Sequence, residues 1–151
     1  MWTYNNQVID SIEKFPEGSV GIIYKITRLD DGKFYIGKKS LYSERNIKLG
    51  KKELEVMIAE KRRGKLPSKK KIVKESDWLK YWSSNDDLKK SVKEIGQAGF
   101  KREILKICFS KKQLTWYEIE FQAKYEVLTT DNCWNDNILG KFFKKDLVDK
   151  E

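Results

Sequence analysis

The chain contains no histidine. That absence excludes a Ser-His-Asp triad, the His-Glu zinc-protease motifs and any mixed Cys-His zinc site. Proton transfer, if there is any, must run through tyrosine, lysine, a carboxylate or a metal-bound water. Cysteine is almost absent as well. Cys108 and Cys133 are the only two, and neither has a neighbour at metal-ligand spacing. This argues against a disulfide framework or structural zinc and for a reducing, cytoplasmic setting. No apolar run approaches the roughly 20 residues needed to span a bilayer. The opening Met1-Trp2-Thr3-Tyr4-Asn5-Asn6 lacks the basic and apolar regions of a secretory signal.

What is present is basic charge on a chain able to build a core. At 151 residues, 39% of them hydrophobic, the expectation is a single domain over 1–151. Thirty-two Lys+Arg against 23 Asp+Glu leave a net +9, which calls for a polyanionic partner. The excess is concentrated in residues 46–76, a basic insertion with eleven Lys/Arg and four Glu. Leu54, Met57 and Ile58 fall at helical spacing there, predicting a short basic helix over 51–63. Gly64, Pro67 and Ser68 break it, leaving Lys69-Lys70-Lys71 as an exposed basic tip. A charge run is often only a solvated surface. In a protein already this basic it points to nucleic acid, through Lys51, Lys52, Lys61, Arg62, Arg63 and Lys69 to Lys71, with Lys38 and Lys39 beside them.

Two β-branched and aromatic runs, Ser19–Leu29 and Lys33–Leu41, flank Asp30-Asp31-Gly32 and predict a β-hairpin. Leu88, Val92 and Ile95 mark a helix ended by Gly96 or Gly99. Phe100–Phe109 reads as a third strand, buried at Ile104, Leu105 and Ile107. Ser110 and Gln113 form a capping box for a long helix to about Leu128. Residues 144–151 read as a frayed, charged tail. The expected fold is a small α+β domain, with a three-stranded mixed or antiparallel sheet, flanking helices and the basic helical insertion.

Two features stand out as chemistry. Leu114, Tyr117, Phe121, Tyr125 and Leu128 form the apolar stripe of the long helix, and Glu118 falls inside it, while Glu120 and Glu126 point elsewhere. A carboxylate on a core-facing stripe is costly unless paired, hydrogen-bonded or bound to a cation. Glu118 is thus either a stripe-edge residue paired with a lysine or a metal ligand at the floor of a cleft. In the hairpin, Tyr24 and Tyr35 can lie on neighbouring strands. Gly37 and Lys38-Lys39 follow Tyr35, and Arg45 comes eight residues after Gly37.

These residues resemble the GIY-YIG nuclease superfamily. Tyr35-Ile36-Gly37 is its second motif intact, and Gly21-Ile22-Ile23-Tyr24 is the first with one extra residue, a variant similar to phage-type, homing-endonuclease-like members. Arg45 stands where the family arginine is expected, Glu118 where the metal-binding glutamate is, and Trp134-Asn135 matches the closing Tyr-Asn element. Glu75-Ser76-Asp77-Trp78 through Tyr81-Trp82-Ser83-Ser84 also resembles phage members, with Ser83 where glycine is usual. The likeness covers about Gly18 to Phe143. It departs at Leu49, where the family commonly has His or Tyr four residues after the arginine.

The resemblance implies a metal-dependent DNA endonuclease, most often on double-stranded DNA, with Mg²⁺ (or Mn²⁺) on Glu118. It implies Arg45 as a phosphate clamp, Tyr24 as general base with Lys38 as electrostatic helper, and Tyr35 as phosphate or water positioner, the two tyrosine roles being interchangeable. A free tyrosine has a pKa of about 10, so a phenolate base needs a nearby cation. Asn135 is expected to buttress Glu118 and the sheet. Trp78 is expected in the core, and Trp82 is left open between core and stacking surface. One active site would nick one strand with modest sequence preference, so a double-strand break needs a homodimer or two events. The competing class is a non-catalytic nucleic-acid-binding protein on a decayed nuclease fold.

Overall fold

A computed structural model describes residues 1–48, 50–51 and 69–147. In chain order the strands are β1 (Trp2–Tyr4), β2 (Gln7–Ile9), β3 (Gly21–Arg28), β4 (Phe34–Ser40), β5 (Tyr42–Lys48), β6 (Lys69–Glu75), β7 (Phe100–Cys108), β8 (Asn137–Ile138) and β9 (Phe142–Phe143). Helix α1 spans Asp86–Ile95 and α2 spans Lys111–Lys124. They form two compact units: Met1–Leu41 with the chain from Asp77 onward, and Tyr42–Ser76.

The main unit is built on one mixed sheet in the order β2-β1-β7-β3-β4. Its centre is the expected three strands. β3 pairs antiparallel with β4 from Gly21↔Ser40 to Thr27↔Phe34, and antiparallel with β7 on its other side. At the hairpin turn the Arg28 N–H bonds the Lys33 carbonyl (2.8 Å), and Asp31 Oδ1 accepts the Lys33 N–H (3.0 Å). The sheet is wider than expected, because β1 adds parallel to β7 and β2 pairs with β1 through a tight turn. Asn5 and Asn6 make that turn with φ of 50° and 65°. Asparagine tolerates this left-handed region better than most residues, and two in succession suit the type I′ turn of a two-residue hairpin. Trp2 anchors the extension in the core, with its indole N–H bonded to the Trp78 carbonyl (2.9 Å).

Strand alternation divides the apolar residues between two faces. Ile22, Tyr24 and Ile26 of β3 pack with Trp2, Trp78, Leu88 and Val92 on the α1 face. Ile23 and Ile36 pack with Leu114, Val127 and Leu128 on the α2 face. The β3–β7 register slips by one residue, so Ile23 faces Lys106 while Tyr24 faces Ile104. This β-bulge places Ile104 and Ile107, three apart in sequence, in the same core.

Both helices start as their sequences indicate. Asn85 Oδ1 accepts the Leu88 N–H (2.9 Å) to cap α1, and Ser110 Oγ accepts the Gln113 N–H (3.0 Å) to cap α2. Gln113 reaches back to the Phe109 N–H (2.9 Å). α2 stops at Lys124, earlier than expected, and the buried Leu128 lies in the turn that follows. Of the tail expected over 144–151, residues 148–151 lie outside the described residues. It opens with a 3₁₀ turn, Lys144–Leu147, where the Lys144 ammonium donates to the Thr130 and Cys133 carbonyls.

The second unit corrects the reading of the insertion. Its described part is an antiparallel ribbon of β5 and β6, paired from Tyr42↔Glu75 to Lys48↔Lys69. Lys69, Lys70 and Lys71, expected at a tip, instead begin strand β6. Strands of charged residues carry no apolar alternation, which is why periodicity does not reveal them. The expected helix over 51–63 lies outside the described residues apart from Lys51, as do Leu49, Lys52, Lys61, Arg62 and Arg63.

Candidate active site

The two motif glycines are places where backbone and side chains come too close for a Cβ. A methyl at Gly37 would lie 2.6 Å from the Tyr24 hydroxyl oxygen and 2.8 Å from the Tyr35 ring. Tyr24 and Gly37 are directly paired across β3 and β4, so the Tyr24 phenol lies over a bare stretch of backbone. At Gly21 a methyl would meet Leu114 at 2.8 Å and the Lys39 carbonyl at 2.9 Å. Gly21 therefore lets α2 pack tightly on β3, which sets the helix that carries Glu118.

β4 is the edge strand, and its outward groups are satisfied one after another. The Phe34 N–H bonds the Asn132 carbonyl, and the Phe34 carbonyl accepts the Trp134 N–H. Asn135, 3% exposed, accepts the Ile36 N–H on Oδ1 (3.0 Å) and donates Nδ2 to the Ile36 carbonyl (2.8 Å). Gln122, 5% exposed, donates to that same carbonyl (3.1 Å). Two residues further on, the backbone N–H of Lys38 is turned toward Glu118 and favours its charged form. The inward line of α2 thus reads Leu114, Glu118, Gln122 at four-residue steps, with the last two turned to the β4 edge. Gln122 is a site residue that the sequence reading missed, although its position four residues after Glu118 places it on the same stripe.

Alternation along β4 separates the two lysines. Lys38 is on the α2 face, where its ammonium donates to Thr115 Oγ1 (3.4 Å) and its charge acts on Glu118. Lys39 is on the tyrosine face, 2.6 Å from Asp77 Oδ1 and 4.2 Å from the centre of the Tyr81 ring. Lys39 therefore shares a face with Tyr24, whereas Lys38, the helper expected from the sequence, is on the opposite face.

Burial pushes the Glu118 carboxyl above the usual carboxylate range, against the opposing pull of the Lys38 ammonium and N–H. Tyr24, 1% exposed, is driven well above the ordinary phenol value, first by burial and then by Tyr35, Tyr81 and Glu118. Tyr35 is raised by burial, and a hydrogen bond with Ser84 opposes the shift. Tyr24 and Tyr35 have ring centres 6.1 Å apart, and Tyr81 meets Tyr24 edge-on at 5.9 Å. Tyr81, which the sequence analysis names only within the phage-like segment, belongs to this cluster.

The main unit thus gathers Tyr24, Tyr35, Gly37, Lys38, Lys39, Glu118 and Asn135 around the end of one edge strand. Arg45 lies in the ribbon, in register with Ile72, and belongs to the second unit. Lys71 in that unit pairs with Glu44 (3.1 Å). Trp78 is fully buried, as expected. Trp82 has one face taken by the Arg102 guanidinium, 4.2 Å from its ring centre, and its edge against Phe100. No helix among the described residues is long and apolar enough to cross a membrane.

Comparison with curated proteins and with solved structures gives no match. The family described as "Putative endonuclease segE, GIY-YIG domain" matches residues 2–138, a span that takes in the N-terminal hairpin, both tyrosine strands, the glutamate helix and the Asn135 edge cap. With that match over nearly the whole chain, and both motif glycines sterically required, the protein belongs to the segE-like GIY-YIG endonuclease family.

Proposed function

We propose that the protein is a divalent-metal-dependent DNA endonuclease that hydrolyses phosphodiester bonds, one strand per active site. The observation that carries this reading is the Glu118 carboxylate, kept half-buried at the β4 edge beside the tyrosine pair. A carboxylate that costs desolvation next to a satisfied edge suits a site whose charge is used.

The donor set fits Mg²⁺. Glu118 offers hard oxygens, and no histidine or thiolate competes for a softer ion. Among the described residues no group of three His, Cys, Asp or Glu could cage a metal. Mg²⁺ is commonly held by one or two carboxylates, waters and substrate phosphate. When bound, the ion supplies Lewis-acid stabilisation of the phosphoryl oxygens and the leaving 3′-oxygen.

The remaining roles fall to the chain's own side chains. Tyr24, as its phenolate, accepts the proton of the attacking water, and Gly37 leaves the room for the phenol oxygen. Tyr35 orients the water or the phosphate. Lys38 stays beside Glu118 and limits the cost of its charge. Arg45 binds the scissile phosphate as a fixed, always-charged fork. Asn135 and Gln122 hold the edge of β4 in place. Because Tyr24 is raised by burial, cleavage should keep rising with pH beyond neutrality. Tyr24→Phe should remove that rise.

Lys39, Lys51 and the lysines of β6 supply phosphate-backbone contacts. Replacing Lys69, Lys70 and Lys71 by alanine should weaken DNA binding and flatten its salt dependence, by about 1 in log–log slope for each phosphate no longer neutralised. An unchanged slope would remove these lysines from the interface. The activity itself is tested with supercoiled plasmid and Mg²⁺ or EDTA. Metal-dependent open circles support the reading, linear product without an open-circle stage indicates a dimer cutting both strands, and a gel shift without cleavage points to a binding protein.

A further inference from the structure

The segment Asp77–Asn85 crosses the tyrosine face as an irregular strap, and its anchoring is unusually costly. Trp78 is buried edge-on against Phe15 (5.1 Å), and its carbonyl takes the Trp2 indole N–H. The Arg102 guanidinium, on a residue only 6% exposed, is stacked between Trp2 (4.6 Å) and Trp82 (4.2 Å). From there Nη1 donates to the strap carbonyls of Leu79 (3.1 Å) and Tyr81 (2.9 Å), while Nε is buried without a partner. Burial lowers this arginine to about 10. Ser83 is buried with φ of +86°, a left-handed conformation that favours glycine, and its Oγ accepts the Asn85 N–H (3.1 Å). A buried cation and a left-handed serine are both expensive ways to hold nine residues, where apolar packing alone would be cheaper.

The strap delivers two hydroxyls to the motif tyrosines. Tyr81 meets the Tyr24 ring edge-on at 5.9 Å with its hydroxyl toward that of Tyr24, and the Ser84 hydroxyl lies toward that of Tyr35. Lys39 closes the other side, lying over the Tyr81 ring and paired with Asp77 at the strap's start. Resting on the endonuclease reading above, we propose that Tyr81 is a positioning residue for the reaction. It holds the Tyr24 hydroxyl in its productive orientation through the edge-on contact that brings the two hydroxyls together, and the Arg102-anchored strap fixes Tyr81 in turn.

The buried tyrosine pair explains why a positioner is needed. Tyr24 reaches across Gly37, which has no side chain to hold its hydroxyl, with the Tyr35 ring to one side. Tyr81 approaches edge-on from the strap and supplies a packing wall, with its hydroxyl toward that of Tyr24. Misplacing a reacting group by about 1 Å costs on the order of 100-fold in rate.

The test is single-turnover cleavage by the full-length protein carrying Tyr81→Phe, with Tyr4→Phe as a hydroxyl deletion elsewhere against the same core. Tyr81→Phe should lower the maximal rate about 10- to 100-fold, with DNA affinity and thermal midpoint near wild type, and Tyr4→Phe should do neither. Added to Tyr24→Phe, Tyr81→Phe should cause no further loss, since it acts through Tyr24. In protein labelled at the tyrosine Cζ carbons, the Tyr24 resonance should move with Tyr81→Phe and stay with Tyr4→Phe. A wild type that cuts DNA while Tyr81→Phe keeps its full rate overturns this assignment alone. So does a loss that multiplies with that of Tyr24→Phe, or one confined to affinity and stability. A wild type that cuts no DNA removes the endonuclease reading, and this assignment with it.

Discussion

Ile36 and Lys38 are two residues apart on the open edge of one strand, and each presents its N–H outward. The N–H of Ile36 is taken by a buried amide, Asn135, which also donates to the Ile36 carbonyl. The N–H of Lys38 faces a carboxylate, Glu118, whose pKa is raised because burial penalises its charge. The two caps do the same structural work on the same strand. The neutral one is fully paired and costs little, whereas the charged one is held at a penalty. Edge protection therefore does not explain the charge on Glu118, and the tyrosines and glycine beside it do.

The contrast can be broken first at the residue opposite Tyr24. Gly37→Ala drives a methyl against the Tyr24 hydroxyl, and should cut the cleavage rate on the order of 100-fold while the Ile36 cap stays intact. A kinetic assay showing wild-type rates would mean the space over Gly37 is not used. Asn135→Ala should do the reverse. It strips the partner from the Ile36 N–H and one of two from its carbonyl, for about 2–3 kcal/mol of stability in denaturant titration, with the folded fraction still cleaving.

The smallest effect concerns pH. A carboxyl raised on folding binds its proton more tightly in the native state than in the unfolded chain. Stability then falls as pH rises through the interval between the unfolded value, about 4.3, and the higher native one. Relative to Glu118→Gln, wild type should be about equally stable at acid pH and less stable above that interval. Thermal melts of both proteins across pH check the sign.

Much of this site is legible in the chain because it is periodic. The Asp30-Asp31-Gly32 turn fixes the register that pairs Tyr24 with Gly37, and helical spacing puts Glu118 on an apolar stripe. The opposite faces of Lys38 and Lys39 also follow from β alternation, a distinction hidden when adjacent lysines are read as one basic pair. Gln122 escapes notice because a polar residue four after Glu118 looks like solvent-facing sequence until the β4 edge lies against it. The three-residue strands of the N-terminal hairpin are too short to show a period, although Asn5-Asn6 is a turn signal. The β5–β6 ribbon has charges where strands usually alternate. Arg102 and Tyr81 meet across 21 residues of sequence, and no local pattern announces that hydrogen bond.

The central claim is that Glu118 carries a charge the fold does not need. It is tested most directly by measuring Mg²⁺-dependent plasmid cleavage and the thermal midpoint on the same preparation of Glu118→Gln, which keeps an acceptor for the Lys38 N–H. The expected result is loss of cleavage together with an unchanged or higher midpoint at neutral pH. Cleavage retained, or a midpoint several degrees lower, would contradict it and return Glu118 to the role that Asn135 already fills next door.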